Sequence, residues 1–178
     1  MKKTFKKAIL FIIFFFIIIA SGGLFLPREW IVERSLFMQA SPDMIYPFVA
    51  NLKTGWPSWS AFDYEDPNIV YNYSGPDLGP GAARSWVSKS MGNGTQTITK
   101  GDRFTGVEFD LKMDNDFLIH GKITFVAQAN GTKVTWTDYG DVGNNPFFRY
   151  FGLAMDPMMG PTFEKSLAKL KMLVNTNP

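Results

Sequence analysis

Nineteen consecutive residues, Ala8 to Leu26 ("AILFIIFFFIIIASGGLFL"), carry no charge. A helix rising ~1.5 Å per residue covers roughly 28 Å over that length, close to the ~30 Å hydrocarbon core of a bilayer. Lys2, Lys3, Lys6 and Lys7 precede the run, Pro27 ends it, and Arg28 and Trp30 suit the far interface. Basic residues before an apolar span keep that end in the cytoplasm. The pattern predicts a single-pass transmembrane anchor over residues 1–28 of a cell-membrane protein. The remaining chain is then extracytoplasmic, or periplasmic in a Gram-negative cell. A cleaved secretory signal is the competing reading, with "ASG" before Gly23 as its small-residue site. The long Ile/Phe core, and "LFLP" beyond that site, favour the anchor.

After residue 28 the periodicity changes. "REWIVERSLFMQA" reads as a strand. Ser41, Pro42 and Asp43 then give a helix start, with an apolar face at Met44 or Ile45, Phe48, Val49 and Leu52 and a stop at Gly55. Pro47 strains or kinks so short a helix. Strand-like segments follow at Ile69–Tyr73, Ala82–Met91, Thr95–Lys100, Arg103–Met113, Phe117–Ala129 and Lys133–Asp141. Asn93-Gly94 and Asn130-Gly131 are hairpin signals, and Gly101-Asp102 and Asp114-Asn115-Asp116 are turns. Links this short imply an antiparallel meander. Finally "TFEKSLAKLKMLVN", residues 162–175, puts Phe163, Leu167, Leu170 and Val174 on one helical stripe. The preceding "NNPFFRYFGLAMDPMMGP" is apolar but broken by Pro157, Gly160 and Pro161, so the helix is expected after it. The result is one α+β domain over residues 29–178, in which a one-sided sheet and an amphipathic helix cover each other.

Charge and rare residues narrow the chemistry. The formal charge is +2, of which the first 26 residues carry +4, so the remainder is −2 and gives no support for nucleic-acid binding. Cysteine is absent and His120 is the single histidine, so no disulfide, thiol nucleophile or histidine-cluster metal site is expected. No nucleophile elbow, dinucleotide fingerprint or EF-hand loop occurs, and no cofactor is expected. Strand alternation sorts the rest. His120 falls outside with Lys122, and Glu108 and Asp110 also point away from the apolar face. Trp86 faces inward with Arg84 and Ser88. Asp138 shares its face with Val134 and Trp136, making it the one inward carboxylate. Buried, it needs a partner, for which Arg84 is a candidate; the plainer alternative is a strand-end acid reaching solvent.

The order of these elements, and the stretches "ERSLFMQASPDMIYPFVANL", "WPSWSAFDYEDP", "GPGAARSW", "NGTKVTWTDYGD" and "MGPTFEKSLAKLKMLV", resemble the SRPBCC superfamily. Within it the chain looks most like polyketide cyclase/dehydratase-like members with an N-terminal membrane helix. The resemblance implies a helix-grip fold: a curved antiparallel sheet wrapped around a long C-terminal helix, enclosing a cavity for a hydrophobic small molecule or lipid. Trp56 and Trp59, three apart in a loop, then fall at the rim. Trp86, Phe109, Phe125, Trp136, Met155, Met158 and Met159 complete an aromatic and thioether lining, with Asp138 as polar anchor. The alternative for each is ordinary core packing. Three functions follow as expectations. One is binding of an apolar ligand. The second is a cyclase- or dehydratase-like enzyme with Asp138 as acid/base. The third is a protein-interaction module at the membrane surface, presenting Trp56 and Trp59.

Overall fold

The computed structural model describes residues 2–64, 66–114 and 117–175, with side chains from residue 5 onward. Asn115 and Asp116 of the expected turn, and residues 176–178, lie outside this set. The uncharged run forms helix α1 (Lys2–Leu24), whose segment Phe5–Leu24 is long and apolar enough to cross a membrane, with a mean hydropathy of 2.4. Its C-terminal third packs on the start of a second long helix, α4 (Pro146–Asn175). Tyr150 Oη donates to the Ile19 carbonyl at 2.9 Å, and Phe16 meets Phe147 edge to face. Arg149 Nη1 donates to the carbonyls of Leu24 (2.7 Å) and Leu26 (3.1 Å), filling acceptors that a helix end leaves unpaired. Gly22 and Gly23 permit this approach. A Cβ on Gly23 would lie 2.3 Å from the Pro146 carbonyl oxygen, so the small residues of "ASGG" have a packing role.

Between the two long helices run β1 (Glu29–Met38), α2 (Pro42–Ala50), the single turn α3 (Trp56–Trp59) and six further strands. These are β2 (Val70–Ser74), β3 (Ala83–Val87), β4 (Gly94–Asp102), β5 (Gly106–Met113), β6 (Leu118–Gln128) and β7 (Gly131–Asp141). The sheet order is β1-β7-β6-β5-β4-β3-β2, antiparallel throughout: a meander whose last strand returns to pair with the first. The alternation holds. Val134 and Trp136 of β7, Ile119, Ile123 and Phe125 of β6, and Val107 and Phe109 of β5 are buried on one face, where α2 packs against β4, β5 and β6 while α4 packs chiefly against β1. Phe163, Leu167, Leu170 and Val174 of α4 belong to the same core, and Phe163 stacks directly on Trp136.

Three local expectations are corrected. Gly94 is not in a turn but pairs with Trp86, and the β3–β4 link is residues 88–93. Ser88 and Ser90 hold that link by donating to Asp66, an interaction strand pattern cannot show. Gly101 and Asp102 belong to β4; the turn is residues 103–105, and Asp102 Oδ1 accepts from the amides of Phe104 and Thr105. Most consequentially, α4 begins at Pro146 and not at residue 162. Pro157 and Pro161 each delete one main-chain bond, but Arg34 spans the weakened segment from outside. Its guanidinium bonds Asp156 and Glu164, both at 2.7 Å, on either side of the prolines. It lies directly over Gly160, where a Cβ would meet Nη2 at 2.1 Å.

Two glycine substitutions therefore separate by the stiffness of what they meet. On Gly121, a Cβ would lie 2.1 Å from the buried Phe109 ring and 2.7 Å from Asp138 Oδ1. Gly121→Ala is expected to cost about 1–3 kcal/mol by overpacking. Gly160→Ala meets the movable end of Arg34, while alanine favours the helix by about 1 kcal/mol, so its net change stays within about 1 kcal/mol. Urea unfolding of the full chain in micelles reads both.

Candidate functional site

The stretch "GWPSW" is a helical turn and not an extended loop. Asn51 Oδ1 accepts from the amides of Lys53 and Thr54, both at 2.9 Å, and the Asn51 carbonyl accepts from Trp56 N at 2.8 Å. The chain thereby folds back under α2, and both indoles go inward: Trp56 is 2% exposed and Trp59 0%. Trp59 Nε1 donates to the Phe48 carbonyl at 2.9 Å. The two rings lean edge-on against Trp136 at 5.6 and 5.2 Å, and Trp136 stacks on Phe163 of α4 at 4.0 Å.

This wedge holds the sheet and α4 apart and leaves a cavity of about 170 Å³ beside it. Its apolar wall includes Trp56, Phe62, Trp86, Leu111, Met113 and Met159. The polar wall is Ser60, Tyr71, Arg84, Gln96 and Asp138. The Arg84 guanidinium is buried, pairs with Asp63 Oδ1 at 2.5 Å and donates from Nε to Gln96 Oε1 at 2.8 Å. It also lies over the Tyr71 ring at 5.0 Å. Burial, and then the neighbouring Asp63, hold the Tyr71 hydroxyl protonated well above its ordinary range. Asp138, 1% exposed, accepts from Trp136 Nε1 at 2.8 Å. Burial pushes its pKa up to about 7, against the pull of that bond. The expected Arg84–Asp138 pair does not form, because Asp63, on the turn after α3, takes the guanidinium instead.

Residues 29–175 match the model of a family described as polyketide cyclase / dehydrase and lipid transport. The chain belongs to this family, within the SRPBCC superfamily. Solved structures agree on the helix-grip fold at low identity. A Staphylococcus aureus protein of unknown function superposes with a TM-score of 0.64 at 13% identity, over 83% of this chain and 94% of that one. A Thermus thermophilus protein gives 0.58 at 17% identity, over 81% and 96%. Ara h 8.0201 gives 0.55 at 13% identity, over 84% and 99%. No curated protein matches the chain in sequence.

In this cyclase-like chain the sequence-predicted residues divide. Trp56, Trp86, Trp136, Asp138 and Met159 line the cavity. Trp59 and Phe109 stand behind it in the aromatic wedge, Phe125 and Met155 are buried elsewhere in the core, and Met158 is exposed. His120 sits on the outer face, its Nδ1 2.7 Å from Asp110 Oδ1. Gln96 was missed although its parity with buried Ile98 places it inward. Ser60, Asp63 and Tyr71 had no such signal, since two lie in turns and the third on an edge strand.

The buried carboxyl sets a pH signature. Asp138 holds its proton to a higher pH folded than unfolded, so its contribution is fully present below about pH 4 and declines as pH rises toward 7. Asp138→Asn keeps an acceptor for Trp136 and removes that decline. The stability of the variant relative to the parent is expected to grow between about pH 4 and 7, by up to roughly 4 kcal/mol, and to level off above. Urea midpoints across pH 4–8 measure it; a difference independent of pH defeats it.

Proposed function

We propose that this protein is a membrane-anchored, extracytoplasmic domain that holds one apolar small molecule or lipid in the cavity beneath α4. The carrying observation is the cavity itself, about 170 Å³ with a largely aromatic and thioether wall. A void of ~150 Å³ accepts a benzene-sized ring, and the flexible side chains of Met91, Met113 and Met159 on the wall let a larger guest in. Burial of apolar ligand surface at ~25 cal/mol per Å² drives binding. The family description, which includes lipid transport, accords with this. The Trp56–Trp59 pair gives the interaction-module reading no docking patch, since both rings are buried.

The anchor reading is supported by α1 and by its seating against α4. An open groove walled by Met91, Met113, Phe148 and Phe151 shares its two methionines with the cavity. It lies at the end of the sheet where Arg28 pairs with Asp141, next to the α1 terminus. A lipid leaving the outer leaflet reaches the cavity from that side.

The chain has no native cysteine, so one introduced at exposed Phe104 reports topology. Phe104→Cys is expected to react in intact cells with a maleimide that cannot cross the cell membrane; protection until that membrane is opened would reverse the orientation. For the ligand, native mass spectrometry of the full chain released from lipid nanodiscs is expected to show one retained apolar mass per chain. Leu111→Trp, which fills the cavity, is expected to abolish it. A parent chain that stays clean after incubation with mixed lipids and isoprenoids overturns carrier function.

A second reading rests on Asp138. A carboxyl that titrates near 7 within a cavity is poised to give and take a proton near neutral pH, as a cyclase- or dehydratase-like reaction requires. The two readings part at Asp138→Asn: an enzyme loses turnover and keeps its ligand, whereas a carrier has no turnover to lose.

A further inference from the structure

The first two turns of α4 carry aromatic rings that the domain itself does not bury. Phe147, Phe148, Tyr150, Phe151 and Leu153 are between 40% and 58% exposed. At the α1 terminus Leu24 and Phe25 are 59% and 90% exposed. From Val142 to Met155 the chain holds a single charge, Arg149. The charges that flank this stretch, Asp141 and Asp156, are held in ion pairs with Arg28 and Arg34. Exposed apolar side chains at this density mark a contact surface.

The contacts with α1 say what covers it. The span Phe5–Leu24 is 20 residues long, ~30 Å at ~1.5 Å per residue, which matches the hydrocarbon core of a bilayer. Leu24 then marks one boundary of that core, with Ile19 roughly 8 Å and Phe16 about 12 Å inside it. The Phe147 ring meets Phe16 with centroids 6.3 Å apart, and Tyr150 Oη donates to the Ile19 carbonyl. The Pro146 carbonyl lies against Gly23, nearer the boundary. Arg149 turns the other way, to the carbonyls of Leu24 and Leu26. The side chains are thus sorted along the membrane normal, rings toward the hydrocarbon and the one cation toward water, as on a helix at a membrane interface. A water-soluble partner does not reach the depth of Phe16 and Ile19; lipid chains do.

On the reading of α1 as a membrane anchor, we infer that Pro146–Leu153 is seated in the same membrane. Phe147, Phe148 and Phe151 lie in the lipid hydrocarbon, and the Arg149 guanidinium lies at its aqueous boundary. Two elements thereby fix the domain against the bilayer, and it does not swing on residues 25–28 as a tether.

Spin labels on single introduced cysteines test it, in the full chain reconstituted into vesicles of phosphatidylethanolamine and phosphatidylglycerol. Phe148→Cys and Phe151→Cys report the proposed face, and Ile17→Cys reports α1. Met172→Cys is the distant reference: Met172 is exposed and 24 residues beyond Phe148 on α4, ~36 Å along its axis. In hydrocarbon a label collides more often with oxygen than with a polar nickel chelate, and in water the reverse holds. The expected result is an excess of oxygen collisions at Ile17, Phe148 and Phe151 and an excess of nickel collisions at Met172. Nickel excess at Phe148 and Phe151, with Ile17 in lipid, overturns the inference and leaves the anchor. Nickel excess at all four sites removes the anchor and the inference with it. Oxygen excess at Met172 as well embeds the whole helix and overturns the assignment to its first turns. Shielding of Phe148 and Phe151 from both reagents, with broadening between labels on neighbouring chains, gives the face to a second copy and equally overturns it.

Discussion

The face of Trp136 lies flat on Phe163 at 4.0 Å, and the rest of the domain is arranged around that contact between sheet and helix. A stacked aromatic pair buries a large apolar area and fixes the separation of the elements that carry it. Trp56 and Trp59 close on the same indole from the side, tying the α2–α3 corner to the sheet. Because flat rings and not aliphatic chains set this spacing, the wedge supports the helix on one side and leaves space on the other. The cavity is therefore a consequence of how the core is propped.

The polar groups around that space are held on the same terms. The Trp136 indole that packs on Phe163 also donates to Asp138, so one side chain serves the core and positions the buried carboxyl. Gly121, opposite Asp138 on β6, supplies room for the carboxylate and for the Phe109 ring. Asp63 reaches into the core from its turn and engages Arg84, which in turn orients Gln96. A buried ion pair of this kind contributes little net stability, because desolvation offsets its Coulomb attraction. Its visible effect is to hold Arg84 in one place and to fix the orientation of the Gln96 amide.

The pairing of α1 with α4 follows a similar logic outside the core. Glycines at 22 and 23 remove the side chains that would separate the helices, and Arg149 and Tyr150 satisfy main-chain carbonyls near the end of the apolar helix. The first half of α4 thus does two things: it docks the apolar helix, and through Phe148 and Phe151 it walls the groove beside the cavity.

Much of this was legible in the residue pattern because it depends on local period. The uncharged run gave α1, two-residue alternation gave the strand faces, and that parity correctly put His120 outside and Asp138, Trp86 and Arg84 inside. Gln96 was legible by the same rule. Helix α4 was underestimated because Pro157 and Pro161 are local breakers, while the Arg34 clamp that spans them comes from a strand more than a hundred residues away in sequence. The actual partner of Arg84 was hidden for the same kind of reason: Asp63 sits in a single four-residue 3-10 turn, too short to show a period. By itself the sequence determined which side chains face inward, since alternation and helical stripe are properties of neighbouring residues. Only the tertiary structure decided which inward groups meet, which are satisfied and which remain unpaired, because those outcomes depend on distances between segments far apart in the chain.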